Sequence, residues 1–362
     1  MRGLVKYDKG VGFVDVREVE KPILHSPDDV LIKIKACGLC ATDVHVWKDE
    51  FRYWPPVVLG HEFAGEIVEA GANVTRYKTG DRVVAEPKVG SCGVCDACRE
   101  GKIQLCVHRR APGWGVNGGM TDYVTIPANM LHKIPDSVPY DIAALAEPMS
   151  IVVHEITERA GIQCSDVVVI IGAGPVGILS AFVAKACGAS KVIVTGMTAS
   201  EKVRFPAALA VGADEVINVE KTDPVARIME LTNGRGADLI VESSGSPAGI
   251  LNMPAMARIG GRISCIGLCK TDHASLLWNT AMYKALDLYF NFSSSFTAWD
   301  KALKLMESTK IDLHHVISHR ETIDNWERMF ASQSDESAIK VMFIPEGEMH
   351  PFNKRQPASS FE

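Results

Sequence analysis

Residues 30–36, Val-Leu-Ile-Lys-Ile-Lys-Ala, put Ile32, Ile34 and Ala36 on one side and Lys33 and Lys35 on the other. That period of two predicts a half-buried strand. Shorter runs at 66–69 and 82–85 have a glycine close by. With frequent Gly and Pro turns they predict an irregular barrel over the first 155 or so residues. A longer helix-like stretch follows from 141 to about 161, broken at Pro148. The pattern then changes. Apolar runs at 167–171, 191–195, 215–219, 237–242, 262–266 and 287–292 alternate with helical stretches. Strands that are apolar throughout, separated by helices, predict a parallel six-stranded sheet covered on both faces, an α/β arrangement. Helices at 299–307 and 322–330 and a strand at 338–344 follow. The polar residues 346–362 are expected to be frayed or to serve an interface.

Composition narrows the choice of class. A chain of 362 residues exceeds one ordinary core, so two domains are expected. Hydrophobic content of 47% and charged content of 23% suit a soluble globular protein. A formal charge of −6 argues against nucleic acid or an anionic membrane as the main partner. No apolar run reaches the ~20 residues that a spanning helix needs. Met1-Arg2-Gly3-Leu4-Val5-Lys6 lacks the apolar run of a signal peptide. Ten cysteines then belong in a reducing compartment, which favours metal over disulfides and makes the cytoplasm the expected location.

Four of those cysteines are close neighbours. Cys92, Cys95, Cys98 and Cys106 lie on a polar, Gly-rich stretch expected to be loop throughout. Such spacing lets four thiolates close a tetrahedron on one ion, the pattern of a structural zinc site with no open position. A second motif follows the strand at 167–171. Gly172-Ala173-Gly174-Pro175-Val176-Gly177 opens a helix, and strand before with helix after makes it a dinucleotide-binding loop. The next strand ends in Gly196, where an acid would engage the ribose of NAD. Glu201 could replace that acid, whereas Lys202 or Arg204 could receive the 2′-phosphate of NADP. Either nucleotide fits, with NAD favoured of the two. Ile266, which ends the fifth strand of the sheet, and Leu268 beyond it join the cofactor-contacting set. Three further segments carry metal-ligand chemistry: Cys37-Gly38-Leu39-Cys40-Ala41-Thr42-Asp43-Val44-His45, Gly60-His61-Glu62 and Ala146-Glu147-Pro148. Cys, His and a carboxylate from separate loops suit a catalytic zinc with one exchangeable position.

Taken in order, a Cys followed by Thr-Asp, then Gly-His-Glu, the four-Cys stretch and a late Gly-x-Gly-x-x-Gly resemble the zinc-containing medium-chain dehydrogenase/reductase family. The resemblance runs from about residue 4 to about 345. Glu147-Pro148 is similar to its sorbitol/polyol and threonine dehydrogenase branch. It implies a GroES-like catalytic domain at 1–155 with a zinc lobe at about 90–107. A Rossmann domain would follow at 156–294, and a return to the first domain at 295–362. It implies two zinc ions per chain and NAD or NADP. Cys40 and His61 would hold the catalytic zinc, with Glu62, Glu147 or each in turn as third ligand. Asp43 would orient a ligand, Cys37 would be a packed neighbour, and Thr42 and His45 would relay a proton. Cys92, Cys95, Cys98 and Cys106 would hold the structural ion.

The implied activity is hydride transfer between a secondary alcohol of a small polyol or sugar alcohol and NAD(P), giving the ketose, in a homodimer or homotetramer. An amino-alcohol substrate is the nearer alternative, and a non-catalytic nucleotide-binding scaffold the more distant. One departure stands out. Polyol dehydrogenases often carry Phe-Arg-Tyr after the sixth Rossmann strand, but this chain reads Phe290-Asn291-Phe292 with no arginine, which predicts a substrate other than sorbitol. Trp47, Tyr53, Trp54 and Trp114 are placed in loops, where they would either shape the substrate pocket or pack.

Overall fold

The computed structural model describes residues 1–269, 271–334 and 337–349. Its strands are β1 (Arg2–Lys6), β2 (Val14–Glu18), β3 (Asp29–Gly38), β4 (Val57–Val58), β5 (Glu62–Ala70), β6 (Arg82–Ala85), β7 (Tyr123–Pro127), β8 (Leu131–Lys133), β9 (Val167–Ile171), β10 (Lys191–Gly196), β11 (Glu215–Asn218), β12 (Ala237–Glu242), β13 (Ala257–Cys265), β14 (Asp287–Phe290), β15 (Ile317–Glu321) and β16 (Lys340–Phe343). They divide between two compact units. One is Met1–Glu147 with the segment from Ile317 onward, the other Pro148–Val316.

In the first unit β3 is the hub. One edge pairs antiparallel with β5, and the other is shared by β7 at Asp29–Lys33 and β16 at Cys37 and Gly38. β6 and β8 extend the sheet beyond β5, and β15 lies parallel to β16. A small sheet of order β2-β1-β4 completes the unit. The expected alternation holds in β3. Ile32 and Ile34 are buried in the core with Phe63, Ile67 and Ile126. Each such side chain contributes roughly 1.5–3 kcal/mol on burial. Lys33 and Lys35 point the other way, each reaching Glu348 Oε1 at 2.9 and 2.8 Å. Glu348 lies in the segment expected to be frayed; two lysines hold it, and 350–362 fall outside the described residues.

The second unit is a six-stranded parallel sheet of order β11-β10-β9-β12-β13-β14, with helices Pro175–Ala186, Arg204–Ala210, Pro224–Leu231, Pro247–Met256 and Trp278–Tyr283 between strands. Two of these helices begin with a capping side chain followed by proline. Asp223 accepts from Val225 N and Ala226 N, and Ser246 from Gly249 N. Proline is favourable there because the first-turn N–H has no helical partner.

Three expectations are redrawn. Residues 148–155 and 295–316 lie with the second unit, so the chain returns to the first at Ile317 and not at 295. The cause is local bonding. Ser295, Thr297 and Lys301 on or beside the helix Phe296–Ser308 all donate to Glu158, and Trp299 Nε1 donates to Ser294 Oγ. Pro148 does not break the helix around it. It sits in the first turn of Ala146–Val153, where a missing N–H costs nothing. The predicted helix at 322–330 is shifted to Trp326–Ser334, preceded by a 3₁₀ turn at Ile323–Asn325.

Candidate active site, zinc lobe and nucleotide loop

β3 runs into Cys40, which precedes the helix Ala41–Trp47. Cys40 N donates to Asp43 Oδ2 at 3.0 Å, so the helix start fixes the thiol. Gly60 has φ +91°, and a Cβ there would lie 2.6 Å from Cys37 Sγ. Only glycine makes that turn, and it delivers His61 and Glu62 at the start of β5. Gly38 sits opposite Glu62 in the ladder, where a Cβ would fall 2.2 Å from Glu62 Oε2. Glycine at 38 therefore leaves room for the carboxylate. Ligand atoms of Cys40, His61 and Glu62 all lie within 4.8 Å of one another. Glu147, the second residue of helix Ala146–Val153, is buried nearby.

The pocket is strongly anionic. Asp43, Glu62 and Glu147 are all buried. Burial, reinforced by Glu62, pushes the Glu147 carboxyl up to about 7, although His61, Lys340 and Arg109 pull it down. Burial disfavours a charged His61, yet Cys40, Asp43 and Glu147 outweigh it and hold the imidazole well above its ordinary pKa. Cys37 is pushed well up by burial and then by Asp43 and Glu62. One cation is supplied from β16. Lys340 Nζ donates to both Glu62 oxygens at 2.8 Å and to Leu39 O at 3.1 Å. His61 Nδ1 is buried without a hydrogen-bond partner, 3.8 Å from Asp43 Oδ1. A thiol, an imidazole and a carboxylate with ligand atoms within 4.8 Å of one another are the donor set of a three-ligand zinc, and the field that draws a proton onto His61 also draws a divalent cation. These residues fit the ion.

The remaining predicted residues are placed as follows. Thr42 Oγ1 accepts from Cys40 Sγ at 3.6 Å, so it borders the thiol. His45 is half out in solvent, its Nδ1 2.7 Å from Glu50 Oε2, with no bond to Thr42. Trp47 closes the helix and not a loop, packing edge-on against Trp326 and Phe330. Tyr53 is buried, accepting from Gly10 N and donating to Asp49. Trp54 and Trp114 stack at 5.9 Å. Lys340 was not among the predicted residues, nor was a buried cluster in which Glu86 receives Lys88 and, at 3.0 Å, His132. Lysine in the apolar run Ala-Ile-Lys-Val-Met-Phe-Ile was the available signal, since a buried amine needs a partner.

Sulfurs of Cys92, Cys95, Cys98 and Cys106 also lie within 4.8 Å of one another. The stretch is not loop throughout: a helical turn Asp96–Arg99 and a 3₁₀ turn Ile103–Leu105 fold it. The turns arise because Arg99 N bonds back to Cys95 O and Cys106 N to Ile103 O. Cys92 N points to Cys106 Sγ and Cys95 N to Cys92 Sγ, both at 3.4 Å. The N–H groups of Val94 and Cys95 lower the Cys92 thiol to about 6, while burial and neighbouring thiols push Cys98 up to about 12. Amide donors aimed at sulfur stabilise thiolates, so this quartet fits a structural zinc.

In the second unit, Gly172, Ala173, Gly174, Pro175, Val176 and Gly177 join β9 to the helix that starts at Pro175. Gly172 has φ +107° and would bring a Cβ 2.9 Å from Ser244 Cβ. A Cβ on Gly177 would lie 1.9 Å from Gly172 O, whereas one on Gly174 meets nothing within 4 Å. Two glycines close the turn and one leaves the helix N-terminus open, the cradle a pyrophosphate requires. Gly196 cannot carry an acid, since a Cβ would sit 2.7 Å from Phe205 Cε1. Glu201 is held by Lys221 (2.7 and 2.9 Å) and Asn218 (2.6 Å). Arg204 is buried. Ile266 N bonds Glu242 O at 2.8 Å, and Leu268 is exposed.

Comparison with known proteins agrees with this geometry. Residues 26–136 match the alcohol dehydrogenase GroES-like domain, and 175–308 match the zinc-binding dehydrogenase domain. A sorbitol dehydrogenase of Halalkalibacterium halodurans is 34% identical over 345 residues, covering 95% of this chain and 99% of its own. An L-threonine 3-dehydrogenase of Bacillus licheniformis is 35% identical over 354 residues, with 95% and 99% covered. The crystal structure of a zinc-binding dehydrogenase from Sinorhizobium meliloti bound to NADP superposes with TM-score 0.87 at 30% identity, covering 95% and 99%. The chain belongs to the zinc-containing medium-chain dehydrogenase/reductase family.

Proposed function

We propose that the protein oxidises a secondary alcohol of a small polyol or sugar alcohol to the ketose with NAD or NADP, and catalyses the reverse reduction. The observation that carries this is the convergence of Cys40, His61 and Glu62, with ligand atoms within 4.8 Å of one another, in a chain that also carries an open glycine cradle. Bound zinc supplies Lewis acidity to an alcohol oxygen, and the nicotinamide supplies the hydride acceptor. Cys40 and His61 hold the ion. Glu62 lies within ligand distance but is shared with Lys340, and Glu147, near neutrality beside it, is the alternate carboxylate. Thr42, next to the thiol, is positioned to take the hydroxyl proton. Thr42 and His45 are not bonded to each other, so the nicotinamide ribose would bridge them, and His45, exposed beside Glu50, would release the proton to water.

The end of β10 lacks the acid that repels a 2′-phosphate, and Glu201 is neutralised by Lys221, which supports use of NADP as readily as NAD. A homodimer is supported by the second unit. β14 pairs only with β13 among the described residues, leaving an open edge. Phe290 on it, and Trp278, Met282 and Tyr283 on the helix before it, are exposed. The test is a panel of polyols, sugar alcohols and threonine, assayed by reduced-nicotinamide absorbance with both nucleotides, alongside zinc analysis. Polyol oxidation with two zinc ions per chain is expected. Turnover of threonine alone would replace this function with the amino-alcohol one.

A further inference from the structure

Around the Gly60–His61 turn lies a group of arginines that neither metal site uses. The segment 109–119 is clamped onto that turn: Gly118 N bonds Val58 O, Gly119 N bonds Gly60 O, and a Cβ on Gly113 would lie 2.9 Å from Gly60 N. These contacts hold the segment against the turn that carries the metal ligand His61. It carries Arg109, Arg110 and Trp114, and Trp54 N bonds Trp114 O at 2.9 Å to bring in the segment 51–54. Arg110 Cζ sits 3.7 Å from the centre of the Trp54 ring, and Arg52 Cζ 4.9 Å from that of Trp114. Phe51 abuts Trp114 edge-on at 5.5 Å.

Neither Arg52 nor Arg110 meets a carboxylate among the described residues. The acids beside Arg52 in sequence are engaged elsewhere, Glu50 by His45 and Asp49 by Tyr53. Arg109 is different: it is buried, and burial and then Arg52 lower its pKa against the pull of Glu147 and Cys106. A guanidinium lying on an aromatic face loses little hydration and keeps its N–H fork free for a planar or tetrahedral oxyanion. Two such cations on an aromatic floor supply more positive charge than the hydroxyls of a neutral polyol need, and they suit an anionic group.

We propose that Arg52 and Arg110, seated on Trp114 and Trp54, form an oxyanion subsite selecting polyols that end in a carboxylate or a phosphate. This rests on the polyol function above and narrows it to sugar acids or sugar-alcohol phosphates.

The test uses zinc-loaded full-length protein with three probes: gluconate, glucitol 6-phosphate and neutral glucitol. Each is measured by turnover with both nucleotides and by calorimetric binding, in wild type, Arg52→Gln, Arg110→Gln and Arg110→Lys. Wild type should prefer at least one anion over glucitol, and which one it prefers names the source of the charge. Each Gln variant should lower that preference about tenfold, mostly in KM and Kd, with Arg110→Lys recovering part of it. Added salt should erode the preference as well. Wild type favouring glucitol overturns the subsite and leaves the polyol function standing. So does a loss of melting temperature in the Gln variants with selectivity intact, which would make the pair packing alone. Failure to turn over any of the three sinks the polyol function, while calorimetry on the same variants still decides whether the arginines bind the anion.

Discussion

The four-cysteine lobe and the Cys40–His61–Glu62 pocket belong to the same compact unit but are built on opposite principles. The lobe takes all its donors from fifteen consecutive positions, 92–106, uses sulfur alone, and leaves three of its four cysteines partly exposed. Backbone N–H groups support its thiolates, so it needs little from the rest of the chain. The pocket draws on the end of β3, the start of β5, helix Ala146–Val153 and β16, and buries more carboxylate than one cation can satisfy. A set that closes on itself with a single donor type serves as a cross-link. A mixed set with a spare carboxylate and a competing lysine has ligands to exchange, which is what turnover asks of a metal site.

The sharpest way to break this contrast is Cys40→Ser. If the pocket holds the working ion, the rate falls by roughly 10³-fold or more, since several kcal/mol of Lewis-acid stabilisation is lost. Nucleotide binding should survive, because the cradle Gly172–Gly177 lies in the second unit. Rates matching wild type, measured on zinc-assayed protein, would assign the chemistry elsewhere. Lys340→Met is next. In metal-free protein it strands the buried Glu62 charge, and removing one partner of a buried pair costs about 3–5 kcal/mol. Urea denaturation should show that loss, with zinc recovering part of it as Glu62 turns to the ion. An unchanged midpoint would mean that Glu62 does not depend on the lysine. Cys98→Ala should do the reverse of Cys40→Ser, halving zinc content and lowering Tm by roughly 5–10 °C while each folded molecule keeps most of its rate. Unaltered melting would remove the cross-link role.

The same contrast explains which features are legible in the sequence. Spacing alone assigns the lobe because Cys92, Cys95, Cys98 and Cys106 are local, although it missed the two turns that bring their sulfurs together. The glycine loop was equally legible, since strand, turn and helix are consecutive. Parallel strands β9 to β14 are continuous apolar runs and are found within one or two residues at most ends; β13 begins five residues before its predicted start. By contrast, β1, β2, β4, β7 and β8 carry little pattern of their own, because pairing with β3, β6 and one another makes them strands. Cys40 comes together with His61 and Glu62 only through tertiary folding, so resemblance and not spacing singled them out. Lys340 and the requirement for glycine at 38 depend on which atoms face Glu62, and no periodicity carries that.

Glu155 gives the smallest predicted effect and isolates burial from metal binding. It lies in the second unit, in a π-helical turn His154–Arg159, fully buried, with Ser264 Oγ donating to Oε1 at 2.9 Å. Its other oxygen lacks a hydrogen bond and lies 3.5 Å from Arg159 Nε. Burial raises its carboxyl from 4.5 to about 7, against the pull of Ser264 and Arg159. The folded protein therefore holds this proton more tightly than the unfolded chain. Its contribution is complete below about 4.5 and is lost as pH rises through about 7. Glu155→Gln keeps the acceptor for Ser264 and cannot ionise. It should match wild type in urea denaturation at pH 4.5 and exceed it by about 2 kcal/mol at pH 8, after allowance for solvent screening. Curves for the two proteins that stay parallel across this range would show that Arg159 already compensates the charge. A lone cation at 3.5 Å would then do for Glu155 what Lys340 does for Glu62, and the crowding of acids in the first unit, not burial itself, would be what sets the metal pocket apart.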